Sequence, residues 1–150
     1  MLTVIQEAYV QGISTRKMKR LFKAFGLPGI DRSKVSRICK DLNEMVQQFR
    51  ERQLQACYPN IWLDEVVLKV RENHRVVSLS LAIAIGVDKQ GERHILGFEL
   101  GTGESEAFWL DFLRSLNRRG LKMSELVISD AHGGLVSALS HVFSGATWQR

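Results

Sequence analysis

The stretch Ile61-Trp62-Leu63-Asp64-Glu65-Val66-Val67-Leu68 decides how this chain of 150 residues folds. Its β-branched and aromatic side chains suit a pleated, buried surface, so the stretch predicts a central β-strand. A carboxylate there is costly unless a basic group, a hydrogen-bond network or a metal ion compensates it. A second acid, Asp130, ends the shorter apolar run Leu126–Ser129. We therefore expect Asp64 and Asp130 to meet in space and hold a divalent metal. The alternative is that each is an ordinary acid of a strand end or turn.

The residues around this stretch predict a mixed sheet of the α/β class. Three strands joined by short turns form an antiparallel meander, and after them the apolar period changes to that of a helix. A helical crossover before a fourth strand allows that strand to lie parallel to the first. The predicted elements are strands at Ile61–Arg71, Arg75–Val87, Arg93–Leu100 and Leu126–Ser129, and helices at Glu104–Arg119 and Leu135–Phe143.

The net charge of +5 is unevenly distributed along the chain. Residues 1–58 carry eleven Lys and Arg against five Asp and Glu, whereas residues 59–150 carry ten against eleven. The sequence therefore predicts a basic helical segment at 1–58 and a separate α/β domain at 59–150. A concentrated basic charge favours a polyanionic partner, nucleic acid before a membrane surface, although a solvated charged face has the same composition.

The basic segment has the pattern of two helices joined by a tight turn. After a short helix at Leu2–Val10, Ser14 is expected to begin one helix and Ser33 the next, which continues as a polar end through Gln47–Gln55. Gly26-Leu27-Pro28-Gly29 is the turn between them. This layout predicts a helix-turn-helix, in which the second helix reaches into the major groove. The candidate DNA-binding residues are Arg16, Lys17, Lys34, Ser36, Arg37 and Lys40.

Other classes of protein fit the sequence poorly. Cys39 and Cys57 form no Cys-x-x-Cys pair, which argues against a disulfide framework and a structural zinc site. No apolar run approaches the roughly 18 residues of a transmembrane helix, and the first residues lack the pattern of a signal peptide. We therefore expect a cytoplasmic, nucleoid-associated protein that does not bind membranes.

The acids suggest a specific chemistry. Ligand sites in α/β sheets lie at the carboxyl ends of parallel strands, and hard oxygen ligands suit Mg²⁺ or Mn²⁺. Paired ions of this kind serve phosphodiester chemistry, which usually needs a third acid. Glu65 is expected to point to the opposite face from Asp64, because side chains alternate along a strand. Glu99, Glu104 and Asp111 are the substitutes, without a spacing that recommends any of them. His132 is a possible auxiliary residue for a phosphate or metal; the alternative is that it only caps the next helix or forms a local hydrogen bond.

Several motifs together resemble the Mutator-type bacterial insertion-sequence transposases, which have a DDE catalytic core on an RNase H-like fold. The resemblance runs through nearly the whole chain, and its most specific parts are the last two motifs. The motifs are Gly12-Ile13-Ser14-Thr15-Arg16-Lys17, Val35-Ser36-Arg37-Ile38-Cys39-Lys40, Trp62-Leu63-Asp64, Glu104-Ser105-Glu106-Ala107-Phe108-Trp109 and Val127-Ile128-Ser129-Asp130-Ala131-His132.

The resemblance implies that Asp64 and Asp130 are the first two catalytic aspartates and hold two Mg²⁺ or Mn²⁺ ions. These ions would activate water to nick the element's ends and then activate the freed 3′ hydroxyl to attack target DNA. Partners would be the terminal inverted repeats and target DNA, and the full-length protein would be a homo-oligomer.

The family's third acid, a glutamate, lies downstream of a helical insertion. We therefore expect residues 59–150 to be the N-terminal part of the catalytic domain, in an internal or truncated fragment that is inactive alone. A DNA-binding regulator and a nuclease of the same fold are the alternatives.

Overall fold

The structure is a computed structural model that describes residues 7, 10, 12–24, 26, 31–55, 57–72, 74–101, 105–122 and 124–150. The described residues form four helices and five strands. The helices are α1 (Thr15–Ala24), α2 (Arg32–Glu51), α3 (Glu106–Arg118) and α4 (Gly133–Val142). The strands are β1 (Asn60–Glu72), β2 (Arg75–Val87), β3 (Arg93–Gly101), β4 (Leu126–Ser129) and β5 (Thr147–Gln149). Contacts divide the chain into two compact units, Met1–Arg50 and Glu51–Arg150.

The five strands form one mixed sheet in the order β3-β2-β1-β4-β5. β1 pairs antiparallel with β2, and β2 with β3, as the tight turns of the sequence predict. Gly91 of the second turn has φ +86°, which explains the glycine there. After the α3 crossover, β4 pairs parallel with β1. The α/β class and the parallel fourth strand are therefore confirmed. The sequence analysis missed β5, which pairs parallel with β4.

One face of the sheet carries the core of the second unit. Alternate strand residues with little or no exposure meet the apolar side chains of α3 and α4 there. Among them Ala82 and Ala84 are fully buried, and such small side chains leave room for the large rings of α3. The opposite face is more open, since Ile95 and Leu100 are each 51% exposed. The core residues include Ile61, Leu63, Leu96, Trp109, Phe112, Leu113, Leu116, Val127, Leu135 and Leu139.

The helix starts follow local capping chemistry. Ser14 accepts a hydrogen bond from the Lys17 amide at 3.3 Å, so α1 begins where the sequence predicts. The prediction for the second helix was wrong. The Asp31 carbonyl accepts from the amides of Lys34 and Val35, while Ser33 donates its hydroxyl to the Asp31 carboxylate. Asp31 therefore holds the start of α2, and Ser33 already lies inside the helix.

The second helix is also shorter than predicted and is only partly covered. α2 ends at Glu51 rather than running to Gln55. The amide of Leu54 instead donates to the Arg119 carbonyl at 2.7 Å, a bond within the second unit. In α2, Val35 is 2% exposed, whereas Met45 is 60% exposed, so the apolar stripe is buried only in its first half.

Parts of the predicted helices and turns lie outside the described residues. These are most of the helix expected at Leu2–Val10, the turn residues 27–30, and Glu104 before α3. In α3 the Ser105 hydroxyl accepts from the Phe108 amide at 3.2 Å and caps the helix. Gly133 and Gly134 form the first turn of α4, so this helix begins earlier than predicted.

Candidate metal centre

The pairing of β1 with β4 brings the two predicted aspartates side by side. The last paired residues of the two strands are Leu63 and Ser129, and Asp64 and Asp130 are the next residue on each chain. Neighbouring strands lie about 4.8 Å apart, so the two backbones carry their acids at close range. Both side chains are exposed and lie at the carboxyl end of the parallel pair. The register thus gives the adjacency that the sequence predicts.

Asp64 and Asp130 line two cavities at once. One, the sheet-face cavity, has a volume of about 410 Å³. Trp62, Ile85 and Ile128 give it an apolar floor on the open face of the sheet. Its other lining residues are Leu63, Arg93, Ser129 and Arg150. The two acids therefore line a recess that Arg93 and Arg150 also line.

The other recess, the edge cavity, has a volume of about 400 Å³ and lies where β1 runs past the end of β4. Glu65 lines it together with Asp64 and Asp130. Strand alternation directs Glu65 to the face of β1 opposite Asp64. Beyond Leu63, however, β1 has no β4 residue paired beside it, so this edge of β1 is open to both faces. Both faces therefore reach one space, so Glu65 lines the edge cavity although it alternates with Asp64 along β1 as expected. The remaining lining residues are Leu63, Val67, Trp109, Ala131, His132, Leu135 and Arg150.

Short-range hydrogen bonds fix the chain around both acids. The Asp64 carboxylate accepts from the Glu65 amide at 2.8 Å. On the other strand, the indole of Trp148 donates to the Ser129 hydroxyl at 2.9 Å, and this hydroxyl donates to the Asp130 carbonyl at 3.1 Å. A residue of β5, which the sequence analysis missed, thus helps hold the backbone that carries Asp130.

His132 stands between Asp130 and α4. Its amide donates to the Asp130 carbonyl at 2.9 Å, and it occupies the N-cap position of α4. Its side chain makes no capping hydrogen bond, so the simple capping role considered from the sequence does not hold. The ring instead lines the edge cavity with the acids.

The donor chemistry of this site fits a divalent cation. Two carboxylates at close range repel each other unless a cation lies between them, and carboxylate oxygens are the ligands that Mg²⁺ and Mn²⁺ prefer. Glu65 lines the edge cavity, and its Oε1 atom is buried without a hydrogen-bond partner among the described residues. A cation and its water would supply the positive charge and the donors that this group of acids lacks.

A second cluster that sequence analysis missed lies at the turn between β2 and β3. Ligand atoms of Asp88, Glu92 and His94 lie within 4.8 Å of one another. The Asp88 carboxylate already has three hydrogen-bond partners, however. It accepts from the amides of Gln90 and Glu92, each at 2.9 Å, and contacts His94 Nε2 at 2.7 Å. These bonds close the hairpin turn without any ion, so the cluster is explained as a structural cap.

This cap predicts a pH-dependent contribution to stability. The hydrogen bond from His94, followed by the two backbone amides, holds the pKa of Asp88 below its usual range. A lowered pKa in the folded state stabilises the fold above the unfolded pKa of about 3.9 and loses that effect as the pH falls below it. Asp88→Asn is therefore expected to lower the melting temperature at neutral pH. Thermal unfolding should show this difference shrinking below about pH 4, and a pH-independent difference would contradict it.

The sequence-predicted DNA-binding residues all lie on exposed positions of the first unit. Lys34, Ser36 and Arg37 are exposed on α2, whereas Val35 and Ile38 between them are buried. Lys40 is exposed as well and lies 3.7 Å from Glu44, one turn further along the helix. On α1, Arg16 and Lys17 are exposed. One helix thus presents four polar side chains away from its buried stripe.

Two of the substitute acids lie away from the metal centre. Glu99 is on β3 and pairs with Ala82, two strands from β1. Asp111 is exposed on α3, and neither acid lines the sheet-face or the edge cavity.

No helix among the described residues is long and apolar enough to cross a membrane.

The curated proteins that match this chain include three insertion-sequence transposases. The transposase for insertion sequence element IS256 in transposon Tn4001 of Staphylococcus aureus is 44% identical over 145 residues, covering 96% of this chain and 37% of that protein. The transposase for IS1081 of Mycobacterium tuberculosis is 44% identical over 149 residues, covering 99% of this chain and 36% of that protein. The transposase for ISRM5 of Rhizobium meliloti is 42% identical over 150 residues, covering 100% of this chain and 38% of that protein.

The chain therefore spans little more than a third of the length of these curated relatives. Among solved structures, a Drosophila P element transposase strand transfer complex has a chain that matches this one. The match covers 94% of this chain and 36% of that chain, with 18% sequence identity and a TM-score of 0.45. The family model described as Transposase, Mutator family matches residues 1–150. The chain belongs to the Mutator family of transposases.

Proposed function

We propose that this chain is the part of a DNA transposase that carries the first two acids of a DDE active site. In this proposal residues 59–150 form part of an RNase H-like domain, and Asp64 and Asp130 hold Mg²⁺ or Mn²⁺. The basic helices of the first unit bind DNA as a helix-turn-helix. The protein would act on the terminal repeats of its own element and on target DNA.

The observation that carries the proposal is the register of β1 and β4. Asp64 and Asp130 follow the last paired residues of two parallel strands and line both cavities of the site. Acids with only local roles in turns have no reason to share a cavity at the carboxyl end of a parallel strand pair. In a family of transposases, this placement supports a site for phosphodiester chemistry.

The residues of the site have separable roles in this proposal. Asp64 and Asp130 bind the cation and fix its place relative to the sheet. The bound cation would supply Lewis-acid stabilisation of charge on a phosphate and on the attacking oxygen. Arg93 and Arg150, on the wall of the sheet-face cavity, offer positive charge to the neighbouring backbone of the DNA. His132 lies at the N-terminus of α4, where helix amides favour an anion.

The cation site is tested by titrating the 150-residue chain with Mn²⁺ in a calorimeter. We expect saturable binding that Mg²⁺ competes away, because both ions favour the same hard oxygen ligands. The chain contains two of the three acids that the resemblance implies, so strand transfer by this chain alone is not expected. Absence of any Mn²⁺ binding would overturn the proposed function.

DNA binding by the first unit gives a separate prediction. Replacing Lys34 and Arg37 by glutamine is expected to weaken binding of a DNA duplex and to reduce the slope of log K against log salt by about one for each lost phosphate contact. Fluorescence anisotropy over a range of salt concentrations measures both quantities. The matched control is the double substitution of Lys69 and Lys89, exposed cations of the second unit, by glutamine.

The salt slopes of the two double variants distinguish DNA binding by α2 from a solvated charged face. A reduced slope for the α2 variant and an unchanged slope for the control would support DNA binding by the first unit. Equal slopes for the two variants would mean that α2 is only a solvated charged face.

A further inference from the structure

Glu65 occupies the metal centre although its position in β1 assigns it to the other face of the sheet. β4 ends at Ser129, level with Leu63, while β1 continues to Glu72. The edge cavity therefore opens on both faces of β1, and Asp64, Glu65 and Asp130 all line it. This gives three carboxylates around one space of about 400 Å³.

The carboxylate of Glu65 is placed in a way that costs free energy in the folded chain. Its Oε1 atom is buried, and neither a hydrogen bond nor an ion pair to it occurs among the described residues. Trp109, a residue only 1% exposed, lines the same cavity, and its indole Nε1 is likewise buried without a hydrogen-bond partner among the described residues. Buried polar atoms without partners are rare in native proteins and mark places where an ion, a water or a ligand supplies the partner.

The geometry also limits what Glu65 does. Among the described residues, the sole group of three acids or histidines with ligand atoms within 4.8 Å of one another is Asp88, Glu92 and His94. Glu65 therefore does not form a compact three-ligand cage with Asp64 and Asp130. This excludes a compact cage of three direct ligands, which leaves Glu65 an indirect role through water bound to a cation.

We propose that Glu65 is a positioning residue for the divalent cation held by Asp64 and Asp130. Resting on the proposed function, this inference gives the site a third carboxylate from within β1. Glu65 accepts a hydrogen bond from water on the cation and adds negative charge to the cavity. Outer partners of this kind orient a metal and tune its affinity.

The test compares Glu65→Gln with the wild-type chain in a Mn²⁺ titration and in thermal unfolding without metal. The amide has the same shape but no charge, so we expect Mn²⁺ affinity to fall by about 10- to 100-fold, as for other outer partners of metals. The melting temperature without metal should stay the same or rise, because a buried charge without a partner has been removed. A residue with a purely structural role would instead lower the melting temperature.

Two controls make the outcome decisive. Glu92→Gln makes the same change in the Asp88 cluster and should leave Mn²⁺ affinity unaltered. Glu65→Asp keeps the charge and should retain more affinity than Glu65→Gln. Unchanged affinity in Glu65→Gln, or reduced affinity accompanied by a lower metal-free melting temperature, would overturn the role of Glu65. If Asp64→Asn also binds Mn²⁺ like the wild type, the proposed function itself fails, which separates the two failures.

Discussion

Replacing Asp64 or Asp130 by asparagine is expected to weaken Mn²⁺ binding by at least about a hundredfold, because loss of a direct ligand should exceed the roughly 10- to 100-fold loss seen for outer partners. Asparagine keeps the shape and still accepts the hydrogen bond that Asp64 receives from the Glu65 amide. It removes the negative charge that holds a hard cation. Calorimetric titration of each variant measures the change directly.

The same variants have an opposite effect on the metal-free fold. Asp64 and Asp130 are adjacent like charges at the end of two parallel strands, and such charges repel each other. Either asparagine variant should therefore unfold at the same or a higher temperature than the wild type without metal. Asp111→Asn, at an exposed position on α3, is the control and should bind Mn²⁺ like the wild type. Wild-type affinity in both site variants would contradict the assignment.

The largest loss of stability is expected from Phe112→Ala. Phe112 is 2% exposed in the core of the second unit, and its ring centroid lies 6.1 Å from that of Trp109. Truncating a buried phenylalanine to alanine typically costs about 3–5 kcal/mol, through lost transfer free energy and the cavity that remains. A domain has only about 5–15 kcal/mol of stability in total, so this single change should leave little margin.

Urea unfolding followed by circular dichroism measures this cost. The control is Val76→Ala on β2, since Val76 is 64% exposed. We expect the control to lose less than about 1 kcal/mol, the span of strand propensities in a host protein. A loss below about 1 kcal/mol for Phe112→Ala would mean that α3 does not pack on the sheet as described.

Much of the second unit follows from local sequence signals. The boundaries of β2 match the prediction, because β2 is a run of alternating apolar residues that ends at a turn containing glycine. The adjacency of Asp64 and Asp130 also follows, since a helical crossover places β4 parallel to a strand already in the sheet. These features depend on residues close in sequence or on a strong topological rule.

The features that the sequence did not predict depend on where strands end. Alternation places Glu65 and Asp64 on opposite faces of β1, but both line the edge cavity because β4 ends beside Leu63. β5 has three residues, all exposed, so neither length nor an apolar pattern marks it. The contact of His94 with Asp88 arises across a hairpin, six residues apart, and no metal-ligand spacing indicates it. Each of these depends on the three-dimensional register rather than on a period.

The most direct measurement is anomalous diffraction from crystals of the 150-residue chain soaked in Mn²⁺. We expect an anomalous peak within bonding distance of carboxylate oxygens of both Asp64 and Asp130, with the Glu65 carboxylate facing the same peak. A peak only at Asp88, Glu92 and His94, with none between the two aspartates, would contradict the metal centre.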